Sequence, residues 1–345
     1  MRLTALLLLL SLLIFPVASL EIEAPLVPAK AEEWMPKDTS TFSGGFQFLL
    51  EKAVSQLRPD LKEASQVILG VVAAVLIVAL VSFFPGTSAK TAEMAGTVTV
   101  SSVLLGSTGS MVNLATHTVM EIGNYGMLLL PVMTSALAAN GGVSTSAALY
   151  AGTALFVAVL QRIMQNFFVP GVYLYLLVTM GGCLTGENLL KKIGDLAKGM
   201  LVWILKIMLM IFTTYLSLTG ILGATTDKTA IKAARVSIAT FVPVVGTVLS
   251  DASEAVLAGA ALIKNTAGIY GIFAVLAIFL GPFLKLASHY MMLKVTSALC
   301  AVFGNQKITG VINAFGSAMG MLMGMTASSC VMVLISTVCY MKGIL

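Results

Sequence analysis

From Ile122 to Gln161 the chain runs 40 residues without a charged side chain. A backbone placed in hydrocarbon finds no water, so it must satisfy its own N–H and C=O groups, and helices do that segment by segment. Val67 to Phe84 adds an uncharged run of 18 residues, close to the ~20 that one crossing helix needs. Of 345 residues only 10% are charged and 58% are hydrophobic, with a mean hydropathy of +0.98. Soluble domains carry roughly 25% charged residues. The fold class is therefore all-α, a polytopic membrane helix bundle.

The charges that exist are segregated. Residues 21 to 63 hold eight of the fifteen acids, whereas from Gln66 onward seven acids face fourteen Lys and Arg. A basic membrane part suits cytoplasmic loops and anionic lipid surfaces. The aromatic and basic interleaving that reads single strands is missing, so no nucleic-acid partner is expected. Arg2, an apolar run from Ala5 to Phe15 and the small residues Val17, Ala18 and Ser19 read as a signal peptide over 1–19. Residues 20–65 then form an extracytoplasmic leader, flexible at first. It becomes an amphipathic helix where Phe46, Leu50, Val54, Leu57 and Leu61 recur at helical spacing. The multi-pass domain occupies 66–345.

Within that domain Met94 to Met120 is uncharged but rich in Gly, Ser and Thr, the composition of a helix that packs on protein. Further candidates are Leu128 to Leu137, Ser146 to Leu160, Phe167 to Leu184, Gly199 to Leu222, Ile238 to Leu249, Ala267 to Leu284, Tyr290 to Phe303 and Val311 to Met341. Several are short for a crossing. The basic clusters around Lys191, Lys192, Lys198 and Lys228, Lys232, Arg235 should also fall on opposite sides of the helix between them. These two facts point to a broken, re-entrant or interfacial segment.

Two stretches are the candidate breaks. LLLPVMTSALAANGG places Pro131 before Asn140, Gly141 and Gly142, and TFVPVVGTVLSDASEAV places Pro243 and Gly246 before Ser250, Asp251 and Glu254. Proline removes an N–H and clashes with the carbonyl four residues back, and such a break is tolerated at membrane depth only in protein or beside a wet cavity. PVMTSAL and PVVGTVL are 112 residues apart, as are Pro170 and Pro282; Cys183 and Asn188 fall on Cys300 and Asn305 at 117. A duplicated unit over about 94–210 and 211–341 follows, with a broken helix in each half, the pattern of pathways built on half-helix ends. Asp251 and Glu254 share a helix face at i, i+3, as a cation or solute path would need. The bland alternative has Ser250 capping a helix whose first turn carries the acids.

Gly316, Gly320 and Gly324 form one stripe in FGSAMGMLMGM, expected to bring helices together, within the chain or in a homo-oligomer. The interleaved methionines alternate faces and read as packing rather than a metal tract. Lys206, Lys285 and Lys294 snorkel to an interface, or Lys206 pairs with an acid inside the bundle. His117 and His289 are isolated, and the cysteines Cys183, Cys300, Cys330 and Cys339 show no C-x-x-C, so neither a metal site nor a cofactor is expected. No H-E-x-x-H, G-x-S-x-G or Walker A motif occurs, and a catalytic role is not expected.

Taken in order, the signal peptide, the short leader, LLPVMTSALAANGG, FVPVVGTVLSDASEAV and KNTAGIYG resemble the stage III sporulation protein AE family of endospore-forming bacteria. That resemblance implies a multi-pass component of the channel complex in the double membrane around the forespore, residing in the mother-cell membrane. It also implies partners, namely a secretion-type ATPase, small membrane proteins and ring-forming proteins of the intermembrane space. The implied role is a permease-like element supporting forespore development and late forespore gene expression. Two rivals stay open on the residues alone: an ion-coupled secondary transporter and a non-conducting scaffold.

Overall fold

A computed structural model describes residues 25–36, 42–82, 89–139, 143–241, 246–302 and 306–342, with the backbone path alone for 220–265. The described residues are helical throughout apart from turns. Helix α1 is Ala29–Glu32, α2 Phe42–Ser82, α3 Ala89–Ala139, α4 Val143–Ile163, α5 Val169–Thr185, α6 Asn188–Phe241, α7 Gly246–Val302 and α8 Gln306–Lys342. Helices α4 and α5 are one column joined by a π-helical turn, Met164–Phe168. Pro170 accounts for that turn: it cannot donate to the ladder, and a widened turn just before it absorbs the missing bond.

Six helical columns are long and apolar enough to cross a membrane, from the 32 residues of Asn188–Thr219 to the 49 of Thr91–Ala139. At ~1.5 Å per residue, 49 residues extend about 74 Å, against a hydrocarbon layer of ~30 Å. Tilts reach ~40° at most and cannot absorb that excess. The long columns therefore project past the hydrocarbon. The amphipathic helix and the first span are one element, α2, which runs through Pro59. The segments that looked too short are parts of longer helices, apart from Ile238 to Leu249, whose middle lies outside the described residues. The two basic clusters of α6 lie toward opposite ends of one 54-residue helix.

Helix α8 is the centre. Of its most apolar window 61% is buried, against 17% for α2 at the periphery. It packs on α3, α4, α5, α6 and α7. Helices α3 and α8 run parallel, with Glu93 paired to Lys307 at 3.6 Å near one end and Thr134 beside Tyr340 near the other. Helix α7 returns antiparallel to both: Gly271 faces Leu129, Gly268 faces Met341 and Gly320 faces Tyr290.

The α3 and α8 interfaces carry buried hydroxyls rather than a purely apolar core. Thr97, Ser101, Thr118, Thr326, Ser329 and Thr337 are all buried. Each donates to a carbonyl one turn back on its own helix, as in Thr118 to Leu114 at 2.8 Å and Thr337 to Val333 at 2.9 Å. A small hydroxyl bonded in this way is buried without an orphaned donor.

The closest helix approaches occur at glycines outside the expected stripe. A methyl group on Gly152 would overlap the Tyr215 ring, whose hydroxyl donates to the Ala148 carbonyl at 2.9 Å. At Gly316, Gly320 and Gly324 a methyl would meet neighbours at 3.8, 3.5 and 3.7 Å, ordinary contact. The stripe does face α6 and α7, but it does not set the tightest spacing. Gly152→Leu should thus cost about 1–3 kcal/mol by overpacking and drive Tyr215 off Ala148. Gly320→Ala should be nearly neutral, and thermal unfolding of both variants in detergent checks the difference.

Candidate functional site

Pro131 does not break its helix. It sits inside α3, which continues to Ala139. Pro131 and Met127, whose carbonyl loses its partner, are both exposed, so the gap in the ladder opens away from the core. Just beyond, the Thr134 hydroxyl donates to the Leu130 carbonyl at 2.6 Å and Ser135 to Val132 at 2.9 Å. Asn140, Gly141, Gly142 and Pro243 lie outside the described residues. Helix α7 begins at Gly246, so Ser250 is inside it rather than its cap, with Asp251 and Glu254 further along. Their side chains lie outside what is described.

Around the inner face of α3 near Pro131 the chain builds a closed hydroxyl cluster. Thr134 Oγ1 lies 3.5 Å from the Tyr340 hydroxyl, and Thr153 and Ser336 share a hydrogen bond of 3.0 Å between α4 and α8. The space they enclose is about 10 Å³. That is room for one water at most. This region ties three helices together and leaves no open path.

A larger polar cavity lies halfway along α3. It measures about 360 Å³ and is walled by Ser110, Asn113, His117, Thr118 and Glu121 of α3, with Ile278 and Pro282 of α7 opposite. Positions 110, 113, 117 and 121 fall on one helical face, since residues three and four apart are neighbours. His117 Nδ1 approaches Glu121 Oε1 to 3.3 Å, an ion pair when the imidazole is protonated. One turn on, the Gln161 amide bridges α4 to the Asn124 side chain at 3.3 Å and the Met120 carbonyl at 3.4 Å. His117 and Glu121 are the only His, Asp, Glu, Lys or Arg residues in α3 between Met94 and Ala139.

The leader covers one side of this cavity, which stays open where Asn113 and His117 are exposed. Lys30 and Trp34 line it from α1 and the turn that follows. Trp34 is buried, because its indole lies over Gly281, where an added methyl would stand 3.0 Å from Nε1. At the adjoining level Lys285 of α7 pairs with Glu63 of α2 at 2.8 Å. Sequence reading took His117 as isolated; the i, i+4 spacing to Glu121 was the signal for its partner. Nothing local announced that Trp34 would arrive from the leader.

Lys206 meets no carboxylate among the described residues. It lines a second cavity of about 410 Å³ between α6, α7 and α8, with Lys198 and Lys294. No group of three or more His, Cys, Asp or Glu converges as a metal site among the described residues. None of the four cysteines forms a disulfide, and Cys183, Cys300 and Cys330 are buried.

A family model described as Stage III sporulation protein AE matches residues 35–343. Stage III sporulation protein AE of Bacillus subtilis (strain 168) is 26% identical over 194 residues, covering 56% of this chain. The matched stretch spans about half, 48%, of that relative's length. No solved structure matches the chain.

The cavity has a direct readout. In a cysteine-free background, Asn113→Cys should react with a water-borne, membrane-impermeant thiol reagent, whereas Val112→Cys, turned into the core, should stay unreactive. Adding Trp34→Ala should speed labelling of Asn113→Cys by opening the leader side, measured as mass gained over time.

Proposed function

The chain belongs to the stage III sporulation protein AE family, and from that premise we propose that it forms the permease-like core of a sporulation channel complex. Membership gives it a role in sporulation. Its long apolar helices make it a multi-pass membrane component. The finer reading is that it resides in the mother-cell membrane around the forespore, works with a partner ATPase and intermembrane ring proteins, and supports forespore development and late forespore gene expression.

The observation that carries the permease-like reading is the α3 cavity. A helix otherwise uncharged from Met94 to Ala139 places Asn113, His117 and Glu121 on a single face toward a space large enough for a small solute, and a leader segment covers one side of it. The His117 side chain is largely exposed and that of Glu121 partly so, so the pair sits wetted at the mouth of the cavity, and ionisable groups of spanning helices that face a water-filled space mark pathways. The proposed path runs along this face of α3 rather than through a break at Pro131. The region of Pro243, Asp251 and Glu254 stays in the proposal as its second polar element.

The repeat belongs to the same reading. Helices α5 and α6 form one hairpin and α7 and α8 another, and the two connections lie at one end of the bundle, with Cys183 of α5 against Gly310 of α8. Two hairpins opening the same way support a parallel duplication rather than an inverted one.

The titratable His117–Glu121 pair also favours the second reading, an ion-coupled secondary transporter. In either, His117→Ala with Glu121→Gln should lower the yield of heat-resistant spores sharply while membrane abundance and localisation stay normal. A normal yield would leave the scaffold reading. Loss of yield only in cells that retain the partner proteins separates the channel component from the self-sufficient transporter.

A further inference from the structure

Two lysines of the membrane bundle have carboxylate partners, Lys285 with Glu63 and Lys307 with Glu93. Three others converge without one. Lys198 and Lys206 of α6 and Lys294 of α7 line the 410 Å³ groove, together with Tyr290 and the hydroxyls of Ser317 and Ser328. The floor is apolar and includes Val202, Leu205, Leu209 and Met321. Gly320 and Gly324 complete it, so the missing side chains of the glycine stripe make room for the groove.

The contacts these ammonium groups make are weak and neutral. Lys198 Nζ donates to Ser317 Oγ at 3.2 Å. Lys294 Nζ donates to Asn313 Oδ1 at 3.4 Å and stands 5.9 Å from the centre of the Tyr290 ring. An ammonium has three donors, so each lysine keeps capacity for an anion. No acid among the described residues lines the groove. Asp195, the acid nearest in sequence to Lys198, lines the outer face of α6 with Lys192 and Trp203 instead.

We propose that this groove binds an anionic phospholipid, its phosphate held by Lys198, Lys206 and Lys294 and an acyl chain laid along Val202, Leu205 and Leu209. Three unpaired cations call for negative charge, and the apolar floor calls for a hydrocarbon chain. Only an amphiphile supplies both. Lys198 and Lys206 are separated by about 12 Å along the helix, a gap their long flexible stems can close on a headgroup lying between them. The columns are too long for the hydrocarbon layer, so an interface crosses them part way.

The test uses the full chain in an uncharged detergent, mixed with phosphatidylglycerol, phosphatidylcholine or inorganic phosphate. Native mass spectrometry reads what stays bound, and a melting curve reads stabilisation. Phosphatidylglycerol should be retained and raise Tm, and phosphatidylcholine should do neither. K198Q with K206Q and K294Q should weaken phosphatidylglycerol binding about fivefold per lysine, ~100-fold for the three, whereas K192Q outside the groove should leave it unchanged. Should the triple variant fail to fold, K206Q with K294Q changes only exposed side chains, and the triple Lys→Arg variant should keep the lipid. Equal retention of both lipids, an effect of K192Q as large as that of the groove lysines, or binding untouched by their loss overturns the proposal. So does inorganic phosphate that occupies the groove while phosphatidylglycerol fails to displace it, which would assign a free anion. A dimer that depends on the three lysines would assign a second copy and overturn it equally.

Discussion

A backbone carried through hydrocarbon has to satisfy its own hydrogen bonds, and the rest of this architecture follows from that constraint. It favours long uninterrupted helices over loops at depth, and the described residues hold columns of 32 to 49 residues. It also governs which polar side chains the interior accepts. Thr97, Ser101, Thr118, Thr326, Ser329 and Thr337 return their hydrogens to carbonyls of their own helix, so these hydroxyls enter the packing of the two central helices with their donors satisfied. Position in the bundle then sorts the other polar groups. Most bond within their own helix; Thr153 and Ser336 bond across helices in the closed cluster, and the charged groups collect at the cavity, the groove or the rim.

The same constraint explains why proline was a poor guide to breaks. Pro59, Pro131 and Pro282 all lie inside continuous helices. Each forfeits one bond, and a helix held on several sides by neighbours can bear that loss where the freed carbonyl faces outward or a side chain stands near. Pro170 needs more, and the π turn before it supplies the adjustment. Sequence reading weighed the local defect at Pro131 correctly in kind. It lacked the long-range term, the packing of α3 on α7 and α8 that holds the helix together across the defect.

Helical class and membrane character were legible because they rest on composition summed over long runs, where single residues matter little. Column lengths were not, since Gln161 with Arg162 and His117 with Glu121 cut the uncharged runs into apparently short pieces. Those polar residues do not end helices; Gln161 reaches Asn124 on the next helix, and His117 turns to Glu121 on its own. The glycine stripe was legible as a stripe. Its consequence was not, because whether a missing side chain brings a partner close or leaves a hollow depends on what faces it. Tyr290, Leu205 and the lysines face it at a distance, and the hollow remains. The cavity beside Asn113 could not be read locally at all, since its lid comes from the leader.

The distribution of charge separates two kinds of polar feature in this bundle. Lys285 and Lys307 are matched by Glu63 and Glu93 on neighbouring helices, so each pair fastens two elements and leaves little field around it. His117 and Glu121 are matched within one helix, so they fasten nothing to α7 across the cavity they face. A pair that serves only packing would do better reaching across, where its energy would hold the helices together. One that stays on a single helix keeps the opposite wall, Ile278 and Pro282, free of polar attachment. That leaves a space with one ionisable wall and one apolar wall, in which a polar solute has contacts to exchange as it moves and no strong cross-link has to be broken to admit it. Packing accounts for the hydroxyls of α3 and α8, whereas the asymmetry of this cavity is what the proposed pathway draws on.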